Sequence, residues 1–276
     1  MPGSELFAVD VGGSSVKSAL VVDGQVQDVA REPVARDLEA LVEQLRRLHD
    51  GAARWGLCLP GQVGDGRVRH AANLGIDDAP LLELLGDPSP AVFVNDLVAA
   101  TVGEAQGGTL ALLQVGTGIA GRFAVGGRVA PSATGLAGEV GHLVFRDGGR
   151  PCSCGRNGCA EAYGGWSGIT ARCEEVGRAA TPEELLDAYW AREIVDDALE
   201  AIGFAAAALV AVHDPGTLRL GGGIAAAWGE TLLAAVRRAL EARVLPEVAA
   251  ATKVESSRLG DSAALIGLDA LVRSVR

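Results

Sequence analysis

The segment Gly138–Glu161 constrains the fold of this chain most strongly, because it concentrates residues that bind metal ions. It contains three of the five cysteines and one of the four histidines, placed as His142, Cys152, Cys154 and Cys159. One imidazole and three thiolates are the ligands of a closed, tetrahedral zinc site. Glycines between them let a short loop fold back so that the ligands converge. The pattern predicts a structural zinc loop over residues 142–159.

The alternatives to a zinc loop are disulfides or unrelated buried cysteines. Cys152 and Cys154 are too close in sequence to bridge each other easily, and three cysteines leave an odd thiol. Ligand types and spacing therefore favour zinc. Glu139 and Glu161 lie at the two ends of the same segment. A four-coordinate site cannot accept both of them as additional ligands, so the segment alone leaves their role open.

Length and composition restrict the class of protein. The 276 residues are 49% hydrophobic, and strand-like runs alternate with helix-like runs, which predicts a soluble α/β chain of two lobes or one large domain. The net charge of −11 argues against a general nucleic-acid or anionic-membrane binder. No apolar run reaches the roughly 20 residues of a membrane span, and Met1–Glu5 is too short for a signal peptide. Metal-type cysteine use then favours the reducing cytoplasm.

Glycine-rich turns follow apolar strands in both halves of the chain. The first turn joins two predicted strands at Gly12-Gly13-Ser14-Ser15, directly after Asp10. Its amides and the Ser14 hydroxyl can bind a phosphate, although a plain hairpin with a capping aspartate is an alternative. The second turn, Gly116–Ala120, joins strands over 109–115 and 121–125. This repetition predicts duplicated lobes that face one nucleotide.

Polar residues also stand where predicted strands end. Asn95 and Asp96 follow the buried strand Ala91–Val94 and precede a predicted helix, Leu97–Ala105. This is where α/β sheets place ligand contacts, and it is equally the place of a helix N-cap; one residue can be both. Between the strand Trp55–Leu59 and the short helix at 81–85, residues 70–80 have the composition of a polar loop.

The second half is mainly helical after the cysteines. Predicted helices cover 183–191, 193–213, 225–243 and 262–275, and Thr181–Glu184 has the sequence of a capping box with proline at its first helical position. The glycines 221–223 stand between a strand, Thr217–Leu220, and the third of these helices. They permit close approach of a flat ligand or a phosphate to the helix N-terminus.

In order, these motifs resemble the ROK family, a group of bacterial sugar kinases and sugar-responsive repressors. The resemblance covers Asp10 to about Gly267 and rests on DVGGSSVKSAL, GLCLPGQV, VNDLVAA, GTGIAGRFAVGGRV, GLAGEVGH, CSCGRNGCAE and LRLGGGI. Single glycine loops are weak signals, whereas Glu-x-Gly-His followed by the cysteine run is highly specific. The resemblance implies the actin-like ATPase (ribonuclease H-like) fold, with two α/β lobes and a cleft between them. Residues 1–107 plus 262–276 would form a small N-terminal lobe, and 108–261 a larger lobe with the zinc loop.

The resemblance also implies residue roles for a sugar kinase. Asp96 would be the catalytic base, and the sugar contacts would be Gly61, Asn95, Asp96, Glu139, His142 and Glu161. His142 would use one ring nitrogen for zinc and the other for the sugar. Asp10 would contact the Mg2+ of ATP, and the remaining nucleotide contacts would be Gly12, Gly13, Ser14, Lys17, Gly116, Thr117, Gly118, Gly222 and Gly223. For Lys17, a solvated strand lysine is the alternative.

Three departures from the family pattern affect the expected site. Ser14 replaces the more usual threonine and keeps the hydroxyl. Ala120 stands where a second glycine is common, so its methyl group could crowd a phosphate, or the loop could adjust. After Glu161 the chain has Ala-Tyr-Gly-Gly-Trp in place of serine and small residues, which changes the wall beside the sugar site.

The leading interpretation is an ATP-dependent hexose kinase that converts glucose to glucose 6-phosphate. The alternatives are a kinase for another hexose or N-acetylhexosamine, a polyphosphate-dependent glucokinase, and a non-catalytic sugar sensor. The first strand begins at about Leu6, so we expect no N-terminal helix-turn-helix and no DNA binding. No Lys/Arg run supplies the basic groove that a long polyphosphate would need. A homodimer is implied by the resemblance alone.

Overall fold

The computed structural model describes residues 5–49 and 51–274, and their contacts divide the chain into two compact units. The first unit comprises Met1–Gly108, Gly126–Ala137 and Asp261–Arg276, and the second comprises Thr109–Val125 and Gly138–Gly260. This division differs from the expected one chiefly at 126–137, which the sequence places directly after the second hairpin. The contacts group that segment with the first unit.

Strands and helices alternate through most of the described chain. The strands are β1 (Glu5–Val11), β2 (Ser15–Val22), β3 (Gln25–Pro33), β4 (Trp55–Leu59), β5 (Gln62–Gly64), β6 (Arg67–Ala71), β7 (Ile76–Ala79), β8 (Phe93–Asn95), β9 (Leu110–Val115), β10 (Ile119–Val125), β11 (Arg128–Val129), β12 (Thr217–Gly221) and β13 (Lys253–Ser256). The α-helices are α1 (Leu38–His49), α2 (Leu81–Leu85), α3 (Asp96–Ala105), α4 (Glu161–Gly164), α5 (Trp166–Glu175), α6 (Pro182–Asp187), α7 (Arg192–His213), α8 (Gly223–Arg243), α9 (Pro246–Ala251) and α10 (Ala263–Ser274). Short 3-10 turns occupy Ala72–Leu74, Val140–His142, Tyr189–Ala191 and Gly260–Ser262.

The main sheets of the two units share one arrangement. In the first unit the order is β3-β2-β1-β4-β8, with β1 antiparallel to β2 and parallel to β4. In the second unit β10-β9-β12-β13 follow one another, with β9 antiparallel to β10 and parallel to β12. Each unit therefore carries an antiparallel hairpin beside parallel strands, as the repeated glycine turns predict. The carboxyl ends of the parallel strands are where such sheets bind ligands.

The helix that carries Asp96 is packed tightly within the first unit. Residues 97–105 of α3 are almost all buried, and α10 lies directly against this helix. A side chain on Gly103 would overlap the Ala263 carbonyl, and one on Gly267 would overlap the Ala99 carbonyl. Glycine at both positions lets the two helix backbones touch, which fixes the N-terminus of α3.

Some predicted elements are wrong or incomplete. Residues 70–80 are not a loop, because β6 and β7 form a three-stranded antiparallel sheet with β5. The buried residues of β6 and β7 are Val68, Ala71, Ile76 and Ala79. The two aspartates between Ile76 and Ala79 obscure the alternating pattern of a strand. The predicted helix over 225–243 begins earlier and is kinked at Gly229. Among the described residues, no helix has the length and apolar character required to cross a membrane.

The helix ends test the predicted boundaries. The capping box at Thr181 is formed in both directions, and α6 is shorter than expected, ending at Asp187. Helix α1 follows Asp37, whose side chain accepts a hydrogen bond from the backbone N–H of Ala40. The apolar spacing predicts the first helix over 37–50 and the last over 262–275, and the expected ends at Asp50 and Val275 lie outside the described residues.

Candidate active site and metal centre

The four predicted metal ligands converge in the second unit. One ligand atom from each of His142, Cys152, Cys154 and Cys159 lies within 4.8 Å of all the others. The His142 Nδ1 to Cys152 Sγ distance and the Cys154 Sγ to Cys159 Sγ distance are both 3.6 Å. Ligands around one tetrahedral zinc ion would be separated by about 3.5 Å for a nitrogen–sulfur pair and about 3.8 Å for two sulfurs. The donor set therefore fits a four-coordinate divalent metal.

Backbone hydrogen bonds and glycines close this loop. The N–H of Cys152 donates to Arg156 O at 2.8 Å, and the N–H of Gly158 donates to Arg150 O at 2.7 Å. Gly158 has a φ of +81°, and a side chain there would overlap the Arg146 carbonyl. A glycine is thus required immediately before Cys159 for the thiolates to face one another.

Tyr163, one of the residues that depart from the family pattern, supports the loop. Its ring is buried and meets Phe145 edge to face, with the ring centroids 5.4 Å apart. Its hydroxyl accepts a hydrogen bond from the Arg150 N–H at 2.9 Å. A side chain on Gly149 would overlap this hydroxyl. The tyrosine thus fills the space behind the metal loop and is bonded to it.

Two carboxylates lie on the side of His142 that faces away from the thiols. The distances from His142 Nε2 to Glu139 Oε2 and to Glu161 Oε1 are both 4.0 Å. Burial raises the pKa of Glu139, and the charge of Glu161 raises it further. The charges of His142 and Arg122 act in the opposite direction and lower this pKa. Since Nδ1 faces the sulfurs, the ring can hold a metal with one nitrogen and a polar ligand with the other. The structure brings these predicted residues together.

Glu161 also contacts the second glycine turn, an interaction that the sequence does not predict. The N–H of Ile119 donates to Glu161 Oε2 at 2.9 Å, directly after the turn 116–118. A side chain on Gly118 would overlap this carboxylate. Ala120 lies in β10 opposite Gln114 and outside the turn, so its methyl group does not enter the turn itself.

In the first unit, Asn95 and Asp96 lie at the N-terminus of α3. Asn95 Oδ1 accepts from the N–H groups of Leu97 and Val98 at 3.0 Å and 3.2 Å, so Asn95 is the N-cap. Its Nδ2 donates to Gly61 O at 3.0 Å. Asp96 Oδ1 accepts from the Leu97 N–H at 2.8 Å. Asn95 and Asp96 are therefore both held by hydrogen bonds to the backbone. The alternative interpretation of this position as a helix N-cap is confirmed for Asn95.

Asp10 is held by two neighbouring strands. Lys17 stands opposite it on β2, with Nζ 2.9 Å from Asp10 Oδ2, and Cys58 on β4 donates its thiol to Asp10 Oδ1 at 3.4 Å. Only 16% of the Lys17 side chain is exposed, so the alternative of a solvated lysine is wrong. Burial raises the pKa of Cys58, and the charges of Asp10 and Asp96 raise it further. The buried thiol thus lies near both carboxylates, which its sequence context does not indicate.

The remaining predicted nucleotide positions lie in two turns and one strand end. In the first turn the N–H of Gly12 donates to Ser15 O at 2.8 Å, and Arg36 Nη1 donates to Gly13 O at 3.3 Å. In the second unit Gly222 has a φ of +92°, and a side chain there would overlap the Val115 carbonyl. Helix α8 begins at Gly223, so the start of this helix lies beside the end of β9.

Comparisons with known proteins agree with this arrangement. The profile of the ROK family matches residues 6–275. A glucokinase of Halalkalibacterium halodurans is 31% identical over 312 residues, covering 96% of this chain and 94% of that protein. An N-acetylmannosamine kinase of Escherichia coli O157:H7 is 33% identical over 186 residues, 61% of this chain and 64% of that protein. The crystal structure of a ROK hexokinase from Thermus thermophilus is 30% identical, with a TM-score of 0.76 and coverage of 98% and 97%.

Proposed function

This chain belongs to the ROK family and is a hexose kinase of the actin-like ATPase fold, and we propose that it transfers a phosphoryl group from ATP to the 6-hydroxyl of glucose. The observation that carries the proposal is the position of His142. Its Nδ1 lies 3.6 Å from Cys152 Sγ in the four-residue cluster while its Nε2 faces Glu139 and Glu161, which makes a polar site for a polyol next to the proposed metal site. The glucokinase and hexokinase similarities over nearly the whole chain support the acceptor class.

The proposed acceptor site binds sugar hydroxyls through fixed acceptors. Carboxylates accept hydroxyl protons, so Glu139 and Glu161 suit a ring whose hydroxyls have a set geometry. His142 Nε2 would provide one further contact. We propose Zn2+ as the metal held by His142, Cys152, Cys154 and Cys159. It would fix the orientation of the imidazole and supply no chemistry to the transfer.

Asp96 is the proposed catalytic base. Phosphoryl transfer requires positioned reactants, stabilised charge and a group that accepts the hydroxyl proton. Asp96 Oδ1 is oriented by the Leu97 N–H, at the N-terminus of a helix whose dipole favours negative charge. Asn95 and Gly61, which are hydrogen-bonded to each other, are proposed to contact the same sugar.

Backbone amides are the proposed phosphate ligands. They belong to Gly12, Gly13 and Ser14 in one turn and to Gly116, Thr117 and Gly118 in the other. Gly222 and Gly223 would lie beside the adenosine, where the lack of side chains leaves room for a flat ring. Asp10 would contact the Mg2+ of the nucleotide, and Lys17 is proposed to contact the nucleotide as well. We place the enzyme in the cytoplasm and propose a homodimer.

A second candidate acceptor is N-acetylmannosamine, which the partial similarity to the Escherichia coli kinase favours. A coupled ADP-release assay across glucose, mannose, fructose, N-acetylglucosamine and N-acetylmannosamine separates the two candidates. Each acceptor is offered with ATP and, in parallel, with polyphosphate, and in the polyphosphate arm the sugar phosphate itself is measured because this donor releases no ADP. We expect the largest kcat/KM for glucose with ATP. A larger kcat/KM for N-acetylmannosamine would make that sugar the substrate in place of glucose. Turnover with polyphosphate and none with ATP would make polyphosphate the donor.

A further inference from the structure

Both carboxylate oxygens of Glu161 accept hydrogen bonds. Oε2 accepts the backbone N–H of Ile119 at 2.9 Å, and Oε1 accepts the Ser153 hydroxyl at 3.4 Å and lies 4.0 Å from His142 Nε2. The side chain is only 18% exposed. A hydrogen bond from an amide to a carboxylate is stronger than one between neutral groups. One oxygen thus faces the proposed sugar site, and the other holds the end of the glycine turn 116–118.

The residues that follow Glu161 hold the other side of the same turn. The N–H of Trp166 donates to Gly116 O at 2.8 Å, and the N–H of Ser167 donates to Thr117 O at 3.1 Å. A side chain on Gly165 would lie 3.0 Å from Thr117 O. The glycine that departs from the family pattern therefore permits this close approach. Three contacts from residues 161–167 leave the turn little freedom.

We propose that Glu161 has a second role as the positioning residue of the donor-phosphate turn. Its carboxylate then serves two sites in the second unit, the acceptor site through Oε1 and the phosphate turn through Oε2. The inference rests on the proposed function, because the turn 116–118 is assigned to phosphate there. It extends that function, since Glu161 carries only a sugar contact in the assignment above.

The first test measures amide hydrogen exchange at Ile119 in the metal-loaded protein without nucleotide or sugar. Replacement of Glu161 by alanine removes the acceptor of this N–H, and we expect exchange at least about tenfold faster. Ser153→Ala is the matched control, because it removes only the contact on Oε1 and leaves Ile119 protected. Unchanged exchange in Glu161→Ala would overturn the inference, whether or not the chain is a kinase.

The second test measures binding of AMPPNP with Mg2+ to sugar-free protein and of glucose to nucleotide-free protein. In Glu161→Gln the amide oxygen can still accept from Ile119, so the NH2 group faces the sugar site. We expect Glu161→Gln to lose glucose affinity and to keep nucleotide affinity within about threefold. Glu161→Ala should weaken the binding of both glucose and nucleotide, with nucleotide affinity reduced about tenfold and the zinc content unchanged.

The outcomes separate the inference from the function on which it rests. Wild-type nucleotide affinity in Glu161→Ala, with glucose binding lost, would reduce Glu161 to a sugar contact and overturn the inference. A wild-type protein that binds no AMPPNP would refute the proposed function instead, and the exchange rate of Ile119 would still decide whether the carboxylate positions the turn.

Discussion

At the residue scale, the Asp10–Lys17 pair shows how a neighbouring strand changes the meaning of a side chain. In the sequence Lys17 is one lysine in an alternating strand, whereas the register of β1 with β2 places it directly across from Asp10. Only 6% of Asp10 is exposed, and Lys17 is the cation that faces it at 2.9 Å. A buried carboxylate that loses its cation is costly, because no water replaces the lost contact.

Replacement of Lys17 by methionine should therefore destabilise the protein by about 3 kcal/mol. Urea unfolding at pH 7 measures the change in the free energy of unfolding. Lys253→Met is the matched control, because Lys253 is exposed and its loss should cost less than about 0.5 kcal/mol. Equal stability of the Lys17 variant and the wild type would show that Asp10 does not need this ion pair.

At the element scale, helix packing and ion pairs fix the surroundings of the site. Asp197 on α7 pairs with Arg172 on α5 at 2.8 Å and with Arg146, which lies within the metal loop. Burial alone would raise the pKa of Asp197, but the hydrogen bond from Arg146 and the charges of both arginines bring it below the ordinary value. A depressed folded-state pKa contributes stability above the unfolded pKa of about 3.9 and loses it as pH falls through the folded value.

Asp197→Asn should accordingly lower the free energy of unfolding by about 2 kcal/mol at pH 7, because the buried Arg172 loses the carboxylate with which it is paired. The difference in unfolding free energy between variant and wild type should narrow as pH falls below the unfolded pKa of about 3.9 and through the lower folded-state pKa of Asp197. Urea unfolding at pH 7 and pH 3 compares the two. A difference that stays constant with pH would contradict the assigned ion pairs.

The close packing of α3 against α10 leads to a further stability prediction. Gly103→Ala should destabilise the protein by about 3 kcal/mol, because the added methyl group would overlap the Ala263 carbonyl, which cannot move without its helix. Thermal unfolding measures the effect. Gly64→Ala is the control, since nothing lies within 4 Å of a side chain placed there, and it should unfold at a temperature close to the wild type.

Sequence patterns predict those elements whose cause is local. The strand Trp55–Leu59, the helix Leu81–Leu85 and the capping box at Thr181 agree with the structure because burial runs and caps act within a few residues. Strands β6 and β7 are missed because their pairing partners, and not their composition, make them strands. The metal ligands are recognisable from spacing, whereas the Glu161–Ile119 contact joins residues 42 positions apart.

At the scale of the whole molecule, both units place a hairpin with a glycine turn beside parallel strands. This repetition is recognisable in sequence only as two glycine turns. The metal loop and one of the turns share the second unit, linked through Glu161. Removal of the metal should therefore affect binding of both ligands, but unequally, because His142 is itself a proposed metal ligand. The glycine turn is linked to the metal loop only through the Glu161 carboxylate.

Removal of zinc by a chelator should thus weaken glucose binding more than nucleotide binding. Calorimetric titrations of glucose and of AMPPNP with Mg2+, before and after chelation, compare the two, and metal analysis of the fresh protein should find one zinc per chain. Equal loss of both ligands would indicate general unfolding. Absence of zinc from freshly purified protein would contradict the proposed metal.

Asp96 is the proposed acceptor of the proton of the sugar hydroxyl in this hexose kinase. The most direct measurement is kcat for ADP release with glucose and ATP in the wild type and in Asp96→Asn. We expect a fall of at least about 100-fold, the usual contribution of a general base, with the unfolding free energy close to that of the wild type. Full turnover by Asp96→Asn would show that Asp96 is not the catalytic base.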